Sequence, residues 1–127
     1  MKNSIIIMVI LFFGNMVNGQ NLKITGEKIV VHIVLFKFKE GTTGEQIQRL
    51  KNEILKQKGT IPQLLDVSFG EDFAKRAKGF THAEVAVFQT RKALEDFNTS
   101  EYHKSLIAAH IKPVLEDIIV LDYQQNK

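Results

Sequence analysis

A chain of 127 residues with 44% hydrophobic and 24% charged side chains is long enough to bury one core and too apolar for a disordered or fibrous protein. Its formal net charge of +3 is small and dispersed, which excludes the basic stripe of a nucleic-acid binder. The absence of cysteine excludes a disulfide framework and a lipid anchor through an N-terminal cysteine.

The chain opens with "MKNSIIIMVILFFGNMVNGQ", in which Lys2 precedes an apolar run over residues 5–13. Small and polar residues follow, Val17, Asn18 and Gly19, where a signal peptidase can cut before Gln20. The run is much shorter than the ~20 residues a spanning helix needs. Residues 1–19 are therefore expected to be a secretory signal peptide and 20–28 a polar linker. The mature protein is expected in an extracytoplasmic location, periplasmic or secreted, with no stable membrane anchor after cleavage. Loss of Lys2 takes the net charge to about +2.

A first strand, "VVHIVLFKFK", is apolar on both faces for most of its length. Val30, His32, Val34, Phe36 and Phe38 share the even face; Val31, Ile33 and Leu35 share the odd face before Lys37 and Lys39. Past the breaker Gly41, Thr42 or Thr43 caps a helix, with Glu45 and Gln46 placed for a capping box and Ile47, Leu50, Ile54 and Leu55 on one side. Gly59 and Pro62 end it. A half-buried strand follows in "QLLDVSFGED", with Leu65, Val67 and Phe69 inward, then a charged loop. The next strand, "FTHAEVAVFQ", sets Ala83, Val85 and Val87 against His82, Glu84, Ala86 and Phe88. Thr90 caps a short helix carrying Leu94 and Phe97, and a second short helix runs from near Ser100 to Pro113. The last strand is "DIIVLDY", with Ile118, Val120 and Asp122 opposite Ile119, Leu121 and Tyr123.

The order is βαββαβ, an α+β ferredoxin-like fold: an antiparallel four-stranded sheet with the helices on one face and strands one and three as the central pair. Its domain spans residues 29–124, with a tail at 125–127. Helices on one side leave the other side bare, and an apolar bare face implies a partner or a ligand. A homodimer is the economical solution. The even face, which carries His32, is expected to line the cavity that a second copy closes.

These segments resemble a known family, the stress-responsive dimeric α/β-barrel (Dabb) proteins. The matching stretches are "VHIVLFKFKEGTT", "IPQLLDVSFGED", "FTHAEVAVF", "FNTSEYHKSL" and "DIIVLDY", from about residue 29 to 123. The resemblance implies a homodimer with an internal cavity for a small apolar or aromatic molecule. The family includes a plant polyketide cyclase that works without metal or organic cofactor through a tyrosine and a histidine. Those two positions fall on Phe97 and His103, so the histidine is kept and the phenol is lost. Other pocket histidines fall on His32 and His82. Some members hold a magnesium ion on backbone carbonyls after the first helix, at positions matching Lys58, Ile61 and Leu64, a ligation that leaves no side-chain signature.

Histidine is the one side chain whose ordinary pKa supplies a base near neutral pH, so His103 is the candidate catalytic residue. Its alternative role is a helix cap or a bridge to the first strand. His32, His82, Phe97, Phe36 and Glu84 are the candidate ligand contacts, Glu84 either orienting an imidazole or pointing to solvent. The spacing of the histidines carries no metal signature and no cofactor is expected. Three functions remain open: a dimer that binds a small apolar or aromatic molecule, a cofactor-free cyclase or lyase with His103 as general base, and a structural stress-associated dimer with a filled interior.

Overall fold

The protein is described by a computed structural model covering residues 27–127. The expected signal peptide lies outside the described residues, as does the linker up to residue 26. Among the described residues no helix is long and apolar enough to cross a membrane.

Strand β1, Lys28–Phe38, runs through the sheet centre between β3, His82–Phe88, and β4, Leu115–Asn126. Strand β2, Leu64–Glu71, completes the order β2-β3-β1-β4, and every pairing is antiparallel. This is the ferredoxin-like arrangement read from the sequence.

Helix α1, Gly44–Leu55, begins where Thr43 accepts from the Gln46 backbone N–H and the Gln46 side chain accepts from the Thr43 N–H. That reciprocal box satisfies two of the donors a helix start leaves free. Leu50 and Ile54 are fully buried, whereas Leu55 is partly exposed. Beyond the helix the chain turns through Gly59 at φ +82°, a conformation only glycine adopts without strain. In β2 a register shift between Leu64 and Asp66 turns Leu64 inward and leaves Leu65 exposed, which corrects the expectation for Leu65.

Helix α2, Arg91–Thr99, is capped by the Thr90 side chain, and helix α3, Glu101–Leu106, by Ser100. The second helical stretch does not continue regularly to Pro113. A π-helical turn occupies Ile107–Ile111, and the Lys112 N–H reaches back five residues to the Ile107 carbonyl at 2.8 Å. Strand β4 is longer than "DIIVLDY". Asn126 pairs with Lys28, and the Lys127 N–H donates to the Glu27 carbonyl, so residues 125–127 are no free tail. The ladder continues because the β1 edge is still available opposite them.

The helices cover the even face. Val30, Val34 and Phe36 of β1 and Ala86 and Phe88 of β3 form one core with Leu50, Ile54, Leu94 and Phe97. The expectation that the even face meets a second subunit is thereby reversed. The large rings Phe36 and Phe88 on that face pack with the helices. That open side presents Ile33, Val85, Ile119 and Leu121, the last 55% exposed.

Candidate functional site

Between the even face and the elements α2, α3 and the π-helical turn lies a cavity of about 420 Å³. Val34 and Phe36 of β1, Ile118 and Val120 of β4, and Leu106 and Ile111 make its lining largely apolar. All of these walls belong to the one chain described, so the cavity that holds His32 and His103 lies between its own sheet and its own helices. The π-helical turn contributes Ile107 and Ile111 to the helical wall.

The polar groups are few and placed by the sheet register. His32 and Asp122 stand directly opposite each other on β1 and β4. Because a carboxylate can only accept, the His32 Nδ1–H donates to Asp122 Oδ1, at 2.6 Å. The bond fixes the tautomer and leaves Nε2 of the buried His32 without that proton. The sequence reading missed Asp122. The available signal was a carboxylate sharing parity with Ile118 and Val120 on a strand that otherwise presents apolar side chains to the cavity.

His103 enters from the helical side. Ser100 caps α3 by accepting from the His103 backbone N–H at 3.1 Å, which places His103 in the first turn. Its Nδ1–H donates to the Asn98 carbonyl at 3.0 Å, and its ring lies 4.7 Å from that of Phe97. The opposite nitrogen, Nε2, keeps its lone pair. Burial lowers the His103 pKa from the ordinary imidazole value, outweighing the Asn98 carbonyl, which raises it; a positive charge on His32 would lower it further. His103 is therefore a neutral imidazole at neutral pH, oriented as a proton acceptor.

Glu84 also borders the cavity, from β3. Burial alone raises its pKa from 4.5 to about 7, so this carboxyl carries its proton for much of the time near neutrality. Gln57, just past α1, is fully buried at the same cavity, and neither its Oε1 nor its Nε2 has a hydrogen-bond partner. Nothing in "LKQKG" distinguished it from a solvated helix end.

Five of the six expected site residues thus converge: His103, His32, Phe97, Phe36 and Glu84. His82 does not. It stacks on Phe69 at 5.5 Å and meets the edge of Phe38 at 5.2 Å, bordering a separate groove with Ile47, Lys51 and Glu71. It is on the expected face, but at the far end of β3 from Phe88. The Tyr102 hydroxyl donates to the Glu53 carbonyl and does not replace the missing phenol. Among the described residues no three His, Asp or Glu side chains cluster to hold a metal ion. Of the carbonyls that would hold magnesium, that of Ile61 accepts the Leu64 N–H at 3.3 Å and keeps a second lone pair.

Comparison with known proteins agrees with the fold. The sequence model of the Stress responsive A/B Barrel Domain matches residues 30–125. Olivetolic acid cyclase of Cannabis sativa is 24% identical over 100 residues, which cover 77% of this chain and 98% of the cyclase. Among solved structures, the hydroxynitrile lyase of Passiflora edulis is 28% identical with a TM-score of 0.71, covering 80% of this chain and 96% of the lyase. A dimeric ferredoxin-like protein of unknown function from Thermobifida fusca is 25% identical with a TM-score of 0.68, covering 83% of this chain and 97% of that one.

Proposed function

The chain belongs to the stress-responsive A/B barrel (Dabb) family, and on that premise we propose that it is an exported homodimer whose cavity binds a small apolar or aromatic carbonyl compound. There it performs cofactor-free proton transfer beside the carbonyl, as a lyase or cyclase does. The observation that carries this reading is the orientation of His103: its Nδ1–H is committed to Asn98 and its Nε2 lone pair remains as a base. In the proposed step His103 Nε2 takes a proton from the substrate, and the resulting imidazolium keeps its bond to the Asn98 carbonyl. The His103 imidazolium then returns the proton to the product, while His32, held in one tautomer by Asp122, offers its bare Nε2 to the cavity as a hydrogen-bond acceptor.

Relatives that include a hydroxynitrile lyase and olivetolic acid cyclase support bond-making or bond-breaking chemistry rather than storage. The apolar open side of the sheet and a relative described as dimeric support self-association. Export rests on the N-terminal sequence. Binding without turnover is the second reading. It is favoured by Phe97, which brings a bare ring against His103 where the family's cyclase pattern carries a phenol.

A substrate-independent test is hydrogen–deuterium exchange at the carbon beside the carbonyl of phenylacetone and acetophenone, followed by NMR in D2O. The protein should accelerate exchange of at least one ketone over buffer, and His103→Ala should return it to the buffer rate. No acceleration of either ketone, or an equally active His103→Ala variant, would reject the base assignment.

A further inference from the structure

The proton-transfer chemistry leaves two buried polar groups of the cavity unused, Gln57 and Glu84. The Gln57 backbone carbonyl is satisfied, accepting from the Thr60 and Ile61 N–H groups at 2.9 Å each, but its side-chain oxygen and nitrogen are both unpartnered and sealed from solvent. Leaving such a group unpaired is destabilising, and a hydrophobic side chain there would avoid the cost. Glu84, on the sheet side of the same cavity, is 4% exposed.

We infer that the cavity selects ligands bearing, on an otherwise apolar body, one neutral group that can both donate and accept a hydrogen bond, and that this group seats against Gln57 and Glu84. Hydroxyl, carboxylic acid and carboxamide groups share that chemistry. The choice follows by elimination from the unpartnered atoms. A hydrocarbon satisfies neither Gln57 atom. A ketone or ester oxygen pairs with Nε2 and leaves Oε1 bare. A carboxylate does the same, while an ammonium pairs with Oε1 and leaves Nε2 bare. A group with both functions satisfies the carboxamide, and Glu84 with its proton in place is a further donor. Burial of Glu84 pushes its pKa up to about 7, which keeps that proton available near neutrality. The inference rests on the reading of the cavity as a ligand site, and adds to it the polar group that a substrate must carry away from its reacting carbon.

The test compares 4-ethylphenol with 4-ethyltoluene, which differ by a hydroxyl in place of a methyl, by calorimetric titration of the mature protein. The ratio of the ethyltoluene Kd to the ethylphenol Kd is expected to fall at least about fivefold on going from wild type to Gln57→Leu, the loss of one net hydrogen bond. Gln57→Met keeps the length of the side chain and should give the same result if the leucine variant folds poorly. An unchanged ratio in both Gln57 variants would overturn the inference while leaving the cavity a ligand site. Wild-type protein that takes up neither probe would overturn the ligand-site reading and the inference together.

Discussion

His32 and Asp122 face each other across the β1–β4 ladder, and their Nδ1 and Oδ1 atoms are 2.6 Å apart. The carboxylate is half open to water, with 44% of its side chain exposed, while the imidazole is buried. Screening therefore limits the stabilising effect of the pair. Asp122→Asn should cost about 1 kcal/mol in urea unfolding. It should also loosen the tautomer, seen as a shift of the His32 ring nitrogens in 15N NMR, and lower exchange activity by roughly tenfold or more. Unchanged ring-nitrogen shifts would show that Asp122 does not orient the ring.

The pH profile of activity should carry the mark of His103. Burial lowers its pKa, so the unprotonated form persists to lower pH than in an ordinary imidazole. Activity is expected to be flat above pH 6.5, the ordinary value, and to fall through a midpoint below it. A midpoint above that value would mean that another group supplies the base.

Glu84 gives a stability signature of opposite sense. Its pKa rises from 4.5 to about 7 on folding, so between those values the folded state binds a proton that the unfolded state releases. Stability from this group is complete below pH 4.5, declines as pH rises, and is lost above about 7. Glu84→Gln removes the dependence and should be more stable than wild type at pH 8 by up to about 3 kcal/mol, the two being similar at pH 4. Urea titrations of both proteins at the two pH values measure the difference. A constant difference between them would refute the buried, neutral carboxyl.

Self-association should depend on Leu121, which lies opposite Ile33 on the open side of the sheet. Leu121→Lys places a charge in each half of a two-fold interface and should weaken the dimer by tenfold or more. Sedimentation velocity at micromolar concentration reads the change. A wild-type protein that sediments as a single subunit would remove the homodimer from the proposal.

Expression in a secreting host should yield a mature chain beginning at Gln20, found by intact-mass spectrometry in the extracytoplasmic fraction. Retention of residues 1–19 in that fraction would count against cleavage.

The fold was legible from local signals: β1 and β3 are apolar runs of strand length bounded by turns, and α1 carries its own cap at Thr43. The converging set His32, Phe36, Glu84, Phe97 and His103 was legible for a related reason, since all but Phe97 and His103 share one strand parity. Which face the helices take was not legible. Parity is symmetric between the two sides, and only the fit of Phe36 and Phe88 against α1 and α2 decides it. Asp122 was missed because pairing across 90 residues is invisible in a local pattern. Gln57 was missed because its burial arises from a turn, where no periodicity applies. His82 was placed on the right face but at the wrong end, since parity says nothing of position along a strand.

Strand β4 serves two masters by alternation: Ile118, Val120 and Asp122 look into the cavity, while Ile119, Leu121 and Tyr123 look away. Inserting or deleting one residue after Pro113 would exchange the two sets wholesale. His32 would lose its acceptor, and an acid would surface amid the aliphatic patch on the other side. Chemistry and assembly in this protein therefore share a single point of failure, the frame in which one edge strand zips onto its neighbour.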